Sequence, residues 1–433
     1  MRYVSVNGGA PVAFREAALS GLASDGGLYM PEAISALPRE VWDGVAGAAL
    51  HEVAFTLARA LLAGDIPDDD LRAMVAGALD FAIPLVALDG ETRVLELFHG
   101  PTLAFKDVGA RFMARVFAWL QRGEERPLTV LVATSGDTGS AVASGFGEVP
   151  GARVVLLYPS GRVSPLQERQ LTTGGPSVTA LAVEGSFDDC QRLVKEAFRD
   201  PGLRQRLTLT SANSINITRL LPQTFYYAWA WAQLEDRARP LVFSVPSGNL
   251  GNLTAGLIAR RMGLPAARFI AAANANGGLT AYLAGQEPAP HPSLHTFSSA
   301  MDVGDPSNLA RILALYGHDR AALARDVSGY TISDEETLEA MRALDHRYGY
   351  TADPHTAVGY AALARYRAVH SAPHTGVILS TAHPAKFPDI CERALGRPIP
   401  LPDRLRATLD RPPHVTPLPN RYTALRDALV GLG

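Results

Sequence analysis

Short apolar runs that alternate with helical stretches dominate this chain from about Val94 onward. Continuous apolar runs of this length, bounded by glycine or proline, are typical of strands buried on both faces. Alternation of such strands with helices predicts parallel sheets that carry helices on both sides. The predicted strands are residues 129–134, 153–158, 178–183, 241–245, 269–273 and 376–380.

The length of 433 residues exceeds what one hydrophobic core usually organises, so two or three domains are expected. Residues 41–62 and 68–81 carry apolar side chains at helical spacing, which predicts a mostly helical N-terminal domain. The turn-forming segment 237–240 separates two α/β units. The predicted domains are residues 1–93, residues 94–236 as a smaller α/β domain, and residues 237–433 as a larger one.

Composition argues against several functional classes. The formal net charge is −3, from 43 acidic and 40 basic residues, so neither nucleic acid nor a membrane surface is expected as a partner. Cys190 and Cys391 form no CxxC pair, and His51-Glu52 lacks the second histidine of HExxH, so no metal site is expected. Because the chain lacks a signal-like N-terminus and any run of about 18 apolar residues, a cytoplasmic location is expected.

Lysine is scarce in this chain. Of 40 lysines and arginines, only Lys106, Lys195 and Lys386 are lysines, which leaves 37 arginines. Unlike arginine, a buried lysine can lose its proton near neutral pH, act as a base and form a Schiff base with an aldehyde. Lys106 lies in the apolar, turn-rich segment HGPTLAFKD at 99–107, which is unusual for a surface lysine, whereas Lys195 lies in a run typical of a solvated helix face.

Two predicted strands end in loops rich in Gly, Ser, Thr and Asn, at the sheet edge where open α/β folds bind ligands. Residues 134–139 can hold an anion at a helix N-terminus, although a plain capped turn explains them equally well. Residues 247–252 offer several backbone amides to one phosphate. Neither a GxxxxGK[ST] nor a GxGxxG pattern is present, so we favour a phosphate cradle without a nucleotide.

Two further segments carry polar side chains at such positions. Thr381 follows the predicted strand 376–380, where its hydroxyl can bond a heterocyclic nitrogen or simply cap a turn. Lys386, five residues on, is a candidate anion contact. The segment 211–219 places amides and hydroxyls on one face that can line a cleft, although capping of a helix near Thr218 explains part of the pattern.

A dry lysine, a phosphate cradle without a nucleotide pattern and a hydroxyl at a strand end together predict a pyridoxal 5′-phosphate site. The aldehyde would bond to Lys106, the phosphate to the glycine loop at 247–252, and the ring nitrogen to Thr381. Each feature is weak alone, and their joint occurrence in one α/β chain is the argument.

The chain resembles the threonine synthase family, in its longer bacterial and fungal form. The motifs that carry the resemblance are HGPTLAFKD at 99–107, ATSGDTG at 133–139, SANSINITR at 211–219, VPSGNLGN at 245–252 and TAHPAKF at 381–387. The resemblance implies two doubly wound α/β domains of pyridoxal phosphate fold type II, like the tryptophan synthase β chain, with an extra N-terminal domain. It also implies conversion of O-phospho-L-homoserine and water to L-threonine and phosphate.

The resemblance assigns roles to residues of this sequence. Lys106 would carry the Schiff base and Thr381 would face the pyridine nitrogen, while Leu250 and Asn252 depart from the GNFGD pattern of the cradle. The cofactor phosphate would lie on Gly248, Asn249, Leu250, Gly251 and Asn252. The substrate carboxylate would lie on Ser135, Gly136, Asp137 and Thr138, and other substrate contacts would come from Asn213, Ser214 and Asn216, with Arg162, Lys386 and Arg219 as candidates for its phosphate.

Three alternatives stay open at this point. Another fold type II enzyme, such as a serine or threonine dehydratase, shares the lysine and the cradle. A non-catalytic relative would bind phosphorylated ligands as a sensor, and a generic phosphosugar-binding α/β protein would bind no pyridoxal phosphate. A monomer or a homodimer is expected.

Overall fold

Parallel strands form the two larger sheets of this protein. The computed structural model describes residues 1–62, 64–124, 126–147 and 149–432. Its strands are β1 (Arg2–Ser5), β2 (Val12–Ala13), β3 (Tyr29–Pro31), β4 (Leu85–Ala87), β5 (Thr92–Glu96), β6 (Leu128–Ala133), β7 (Ala152–Pro159), β8 (Val178–Val183), β9 (Thr208–Ser211), β10 (Leu241–Pro246), β11 (Ala266–Ala273), β12 (Val327–Thr331), β13 (Thr375–Ser380) and β14 (Thr416–Leu418).

Helices cover these sheets. They are α1 (Phe14–Ser20), α2 (Arg39–Gly44), α3 (Leu50–Leu62), α4 (Asp68–Ala78), α5 (Lys106–Leu120), α6 (Asp137–Phe146), α7 (Pro165–Thr172), α8 (Phe187–Arg199), α9 (Pro201–Arg206), α10 (Ile217–Leu220), α11 (Gln223–Gln233), α12 (Gly251–Arg261), α13 (Gly278–Leu283), α14 (Leu309–Leu315), α15 (Arg320–Asp326), α16 (Asp334–Tyr348), α17 (Pro354–Val369), α18 (Pro388–Leu395), α19 (Asp403–Leu409) and α20 (Tyr422–Gly431). Among the helices described, none combines the length and apolar character that a membrane-spanning segment needs.

The larger sheet has the strand order β12-β11-β10-β13-β5-β4, in which only the edge strand β4 is antiparallel to its described neighbour. The smaller sheet has the order β14-β8-β7-β6-β9, and its strands are parallel. All residues of β6, β10 and β13 are buried, because helices cover both faces of each sheet. The predicted fold class is confirmed, and the six predicted strands lie within a few residues of β6, β7, β8, β10, β11 and β13.

Each of the two parallel sheets has a point where the strand order reverses. In the larger sheet, β10 leads to β11 on one side while β13 lies on the other side. In the smaller sheet, β6 leads to β7 on one side while β9 lies on the other. Loops that follow strands at such a reversal diverge and leave a crevice for a ligand. The loops after β6, β9, β10 and β13 therefore position the site.

The N-terminal region adds a small antiparallel sheet, β2-β1-β3, to helices α1 to α4. Helix α3 packs against α11, and α4 packs against α5, so this region is attached to the helical layer of the α/β body. The segment 41–62 was predicted as helical throughout, but it divides into α2 and α3. Gly47 has a φ of +73° between them, a conformation that ends a right-handed helix.

Sheet membership does not follow the order of the chain. Strands β4 and β5 lie in the larger sheet beside β13, although they precede all strands of the smaller sheet. Near the C-terminus, β14 pairs with β8 in the smaller sheet. The domain limits 1–93, 94–236 and 237–433 stay a prediction. Strands of the larger sheet lie before residue 237, and a strand of the smaller sheet lies after it.

Candidate active site

Lys106 is the first residue of α5, and it is half-buried in the wall of a cleft of about 2000 Å³. The turn before it is joined to the segment after β13. Phe105 N donates to Thr381 O at 2.8 Å, and His383 N donates to Leu103 O at 3.1 Å. Leu103 adopts a left-handed φ of 57° in this turn. Lys106 and Thr381 therefore share one wall of the cleft, although 275 positions separate them in the sequence.

A buried carboxylate shapes the turn that presents Lys106. Asp107 accepts hydrogen bonds from Thr102 N at 2.8 Å and Thr102 Oγ1 at 2.7 Å. A Cβ atom at Gly100 would lie 2.5 Å from Asp107 Oδ2, so only glycine fits there without a shift. Burial raises the pKa of Asp107 to about 6, against the opposing effect of these hydrogen bonds.

The surroundings of Lys106 lower the pKa of its amine. Burial lowers its pKa below the ordinary lysine value; Asp137 opposes this effect, while Arg219 and Lys386 add to it. Within the described ranges, no hydrogen bond or ion pair engages Nζ of Lys106. A lysine with a lowered pKa and a free amine can act as nucleophile or base near neutral pH.

The predicted phosphate cradle faces the same cleft from the loop between β10 and α12. All five residues from Gly248 to Asn252 line the cleft. In the described part of the chain, none of their backbone N–H groups finds a hydrogen-bond acceptor. Successive free N–H groups at a helix N-terminus form an anion site. Leu250 has a φ of 61°, which turns the chain into α12 and aligns these groups.

Side chains hold the cradle in shape. Asn252 donates to Pro246 O at 2.7 Å and accepts from Leu253 N at 2.9 Å, so its amide is used within the turn. Asn249 Nδ2 donates to Ser214 Oγ at 2.6 Å. The buried Oδ1 of Asn249 has no partner among the described residues. A free amine, free backbone amides and an uncommitted Thr381 hydroxyl fit the aldehyde, phosphate and ring nitrogen of pyridoxal phosphate.

The loop after β6 forms a second anion site in the cleft. Ser135, Asp137 and Thr138 line the cleft at the N-terminus of α6. Thr134 Oγ1 accepts from Gly136 N at 3.1 Å and from Gly139 N at 2.8 Å, which leaves the other amides of this turn available. Gly136 has a φ of 140°, a conformation that side chains disfavour. This geometry suits a carboxylate.

Lys386 does not reach the cleft. It is fully buried, and its Nζ lies 2.6 Å from Asp137 Oδ1 and donates to Thr102 O at 3.0 Å. Burial would raise the pKa of Asp137, but Lys386 and then Lys106 lower it well below its usual range. The role of Lys386 as a substrate-phosphate contact stays a prediction, and this geometry does not support it because the ammonium is paired with Asp137.

The segment after β9 contributes Asn213, Ser214 and Arg219 to the cleft, but not Asn216. Asn216 is fully buried, donates to Ala18 O at 2.9 Å and caps α10 by accepting from Thr218 N at 3.0 Å. It caps a helix and is not part of the cleft lining, and its role as a substrate contact stays a prediction. Arg219 is buried, its Nε has no hydrogen-bond partner among the described residues, and burial lowers its pKa to about 10.

Arg162 lies outside the cleft, on an exposed turn after β7. The loop after β7 does not flank the reversal in strand order, which lies between β6 and β9. The role of Arg162 as a contact for the substrate phosphate stays a prediction, and its position outside the cleft does not support it.

Three sequence models match this chain. The model described as pyridoxal-phosphate dependent enzyme matches residues 89–381, and models of the N terminus and the C-terminal part of threonine synthase match residues 2–79 and 356–429. Over 422 residues the chain is 42% identical to the threonine synthase of Serratia marcescens, covering 97% of each. The chain belongs to the threonine synthase family.

Solved structures agree with this assignment. The crystal structure of threonine synthase from Escherichia coli matches with a TM-score of 0.93 and 40% identity over 100% of both chains. A pyridoxal-phosphate-bound threonine synthase from Brucella melitensis matches with a TM-score of 0.92 and 37% identity, covering 99% of this chain and 98% of that one.

Sequence reasoning missed His355, which lines the cleft. Its Nδ1 lies 2.6 Å from Asp353 Oδ1, and its Nε2 accepts from Ala300 N at 3.1 Å. These contacts attach the segment beside Gly248 to the start of α17. The sequence Asp353-Pro354-His355 signals a helix start, but nothing local indicates that the imidazole faces the cleft. In the ranges described, no cluster of three or more His, Cys, Asp or Glu side chains is arranged to hold a metal.

The Lys386–Asp137 pair yields a stability prediction for this threonine synthase. Lys386→Met leaves the Asp137 carboxylate buried without its main partner, so we expect the free energy of unfolding to fall by about 3–5 kcal/mol. The double variant Lys386→Met with Asp137→Asn should recover a large part of this loss, because no uncompensated charge remains. Urea denaturation checks both variants, and equal stability of the single and double variants would contradict the argument.

Proposed function

We propose that this protein is a threonine synthase that converts O-phospho-L-homoserine and water to L-threonine and phosphate with pyridoxal 5′-phosphate. In class terms it is a carbon–oxygen lyase acting on a phosphate ester. The observation that carries the proposal is that Lys106 and the free amides of residues 248–252 face one cleft. It is supported by relatives named threonine synthase that align over nearly the whole chain.

Lys106 would bind the cofactor aldehyde, Gly248 to Asn252 its phosphate, and Thr381 its ring nitrogen. When bound, pyridoxal phosphate supplies an electron sink for negative charge that develops on the substrate. Because Thr381 carries a hydroxyl rather than a carboxylate, it would leave the ring nitrogen largely unprotonated, which would limit the strength of that sink.

Lys106 is also the proposed base. Its amine has a lowered pKa and no competing partner in the described residues, so Nζ can take the proton from the substrate Cα. Ser135, Gly136, Asp137 and Thr138 would hold the substrate carboxylate through backbone N–H groups and hydroxyls at the start of α6. That contact fixes the orientation of Cα toward Nζ.

Of the three candidates for the substrate phosphate, the geometry favours Arg219. Arg219 lines the cleft beside Asn213 and Ser214. Its Nη1 donates to Ala212 O, and its buried Nε has no partner among the described residues. By contrast, Lys386 is paired with Asp137 and Arg162 is exposed outside the cleft. A phosphate held near Arg219 would lie on the wall that also carries Lys106, because Arg219 is one of the charges that lower the pKa of Lys106.

We expect Arg219→Ala to raise KM for phosphohomoserine roughly 10–100-fold, the equivalent of one lost hydrogen bond between charged groups. Affinity for pyridoxal phosphate should change far less, because the cofactor cradle is separate. Arg162→Ala is the matched control and should leave KM unchanged. Steady-state kinetics with a spectroscopic cofactor titration provides both values; a KM effect confined to Arg162→Ala would contradict the assignment.

The proposed reaction itself is tested by product stoichiometry. Purified protein with pyridoxal phosphate should release one phosphate for each threonine formed from phosphohomoserine. Formation of 2-oxobutanoate from threonine at a higher rate would favour a dehydratase, and a visible cofactor band without turnover would favour a sensor. The cytoplasmic location and the monomeric or homodimeric state stay predictions.

A further inference from the structure

Arg311 in α14 is a buried cation without a carboxylate partner. Its side chain is fully buried and is the largest such side chain in the protein. No carboxylate of the described residues lies within 4.0 Å of its nitrogens. A buried charge is costly unless it is paired, so this guanidinium requires an explanation.

Neutral oxygen atoms take up its N–H groups. Arg311 Nε donates to Tyr29 O at 3.1 Å, Nη1 donates to Ser214 O at 3.0 Å, and Nη2 donates to Ile215 O at 2.6 Å. Nη1 also donates to Asn308 Oδ1 at 2.8 Å. These acceptors take four of the five N–H groups of the guanidinium but leave its net charge uncancelled.

Hydrogen bonds connect Arg311 to the cradle through Asn308. Asn308 receives a hydrogen bond from Arg311 and donates its own Nδ2 to Asn249 O at 3.0 Å. Ser214, whose carbonyl binds Arg311, accepts from Asn249 Nδ2 at 2.6 Å through its hydroxyl. A Cβ atom on Gly251 would lie 3.5 Å from Asn308 Nδ2. Two hydrogen bonds therefore separate the guanidinium from the backbone of the cradle.

The cradle itself carries no formal charge. Residues 247–252 contain neither lysine nor arginine. They also contain no aspartate or glutamate, so this loop offers no counter-ion to Arg311. A phosphate dianion on the free amides would meet only helix and peptide dipoles in the first layer. Arg311 supplies the missing positive charge in the layer behind, where low dielectric makes it effective.

We propose that Arg311 is the buried counter-charge of the phosphate held by residues 248–252, acting electrostatically from the layer behind the cradle rather than by direct contact. The identity of that phosphate as the cofactor's rests on the proposed function. Arg311 is thus a positioning and electrostatic residue for anion binding and not a catalytic one.

The test compares Arg311→Gln, which removes the charge but keeps a hydrogen-bond donor, with Arg311→Lys, which keeps the charge. Dissociation constants for pyridoxal phosphate and for pyridoxal, which lacks the phosphate, are measured on the full-length protein. We expect Arg311→Gln to raise the dissociation constant of pyridoxal phosphate by about tenfold or more and that of pyridoxal by far less. Arg311→Lys should restore most of the preference for the phosphorylated form.

Inorganic phosphate provides a second measurement that does not depend on the aldehyde. Its stabilisation of the cofactor-stripped full chain, at ionic strength matched with sodium chloride, should be lost in Arg311→Gln and retained in Arg311→Lys. Arg111→Gln is the matched control, because Arg111 is also buried but is paired with Asp80 at 2.6 Å, and it should keep the preference.

The outcomes separate the inference from the proposed function. If the wild-type protein binds no pyridoxal phosphate, the proposed function fails, while the inorganic phosphate measurement still tests Arg311. The inference is overturned, and the role of Arg311 is purely structural, if Arg311→Gln loses affinity for pyridoxal and pyridoxal phosphate equally. The same holds if Arg311→Lys fails to restore the preference for the phosphorylated form. Should Arg311→Gln not fold, Asn308→Asp places a neutralising carboxylate beside the guanidinium and should reduce the preference for the phosphorylated form. Asn308→Ala, which adds no charge, should largely keep that preference. Equal losses in these two variants would also overturn the inference.

Discussion

Lys106→Arg is expected to lose about 10⁴-fold in turnover, the upper range for a residue that acts as a positioned base. The variant keeps a positive charge at the start of α5, but a guanidinium does not lose its proton in proteins and forms no Schiff base. The visible absorption band of the lysine-bound cofactor should disappear as well. Phosphate release from phosphohomoserine and an absorption spectrum of the loaded protein measure the two effects.

The chain offers a matched control for this substitution. Lys195 is exposed on α8, so Lys195→Arg makes the same chemical change at a lysine without a proposed role. It should keep turnover and the absorption band. If Lys106→Arg retained both, Lys106 would be neither the cofactor anchor nor the base, and the proposed function would lose its central residue.

Gly248→Ala is expected to weaken pyridoxal phosphate binding by roughly 10–100-fold, which corresponds to one displaced hydrogen bond to a charged group. A Cβ atom at Gly248 would lie 2.7 Å from Met301 Cα and 3.2 Å from Ala300 O. Both contacts are backbone atoms, and His355 holds that segment by accepting from Ala300 N. The cradle must therefore move, and its amides move with it.

Gly251→Ala is the control within the same cradle. A Cβ atom there would meet its nearest neighbour at 3.5 Å, an ordinary contact, and Gly251 already lies at the start of α12. Cofactor affinity should stay within about threefold of wild type, below the value of one ordinary hydrogen bond. Titration of each variant with pyridoxal phosphate distinguishes the two positions, and equal losses at both would show that helix dynamics rather than the clash controls affinity.

Local sequence predicted the strands well because both faces of β6, β10 and β13 are buried. Such strands must be apolar at every position, which leaves a continuous run in the sequence. Edge strands such as β4 and β12 are only partly buried, so no comparable run marks them. The division of segment 41–62 into α2 and α3 depends on Gly47, whose φ value periodicity does not reveal.

The candidate site was predicted as far as residue chemistry and strand-end position allow. Lys106, the cradle at 248–252 and Thr381 share one cleft, as expected from loops at the carboxyl ends of strands. Lys386 and Asn216 were also predicted from their capacity to bind polar groups, yet each is engaged by a buried partner within the protein. A side chain's hydrogen-bonding capacity is visible in the sequence, but its partner is not.

By itself, the sequence determined the class of fold and the family and singled out Lys106 as the candidate lysine, because alternation of buried strands and long motifs are local properties. Only the tertiary structure decided which cations are available. Arg219 lines the cleft, Lys386 is paired with Asp137, and Arg311 hydrogen-bonds to the neutral side chain of Asn308. The physical reason is that the effect of a charge depends on burial and on neighbours distant in the chain, and folding alone brings these together.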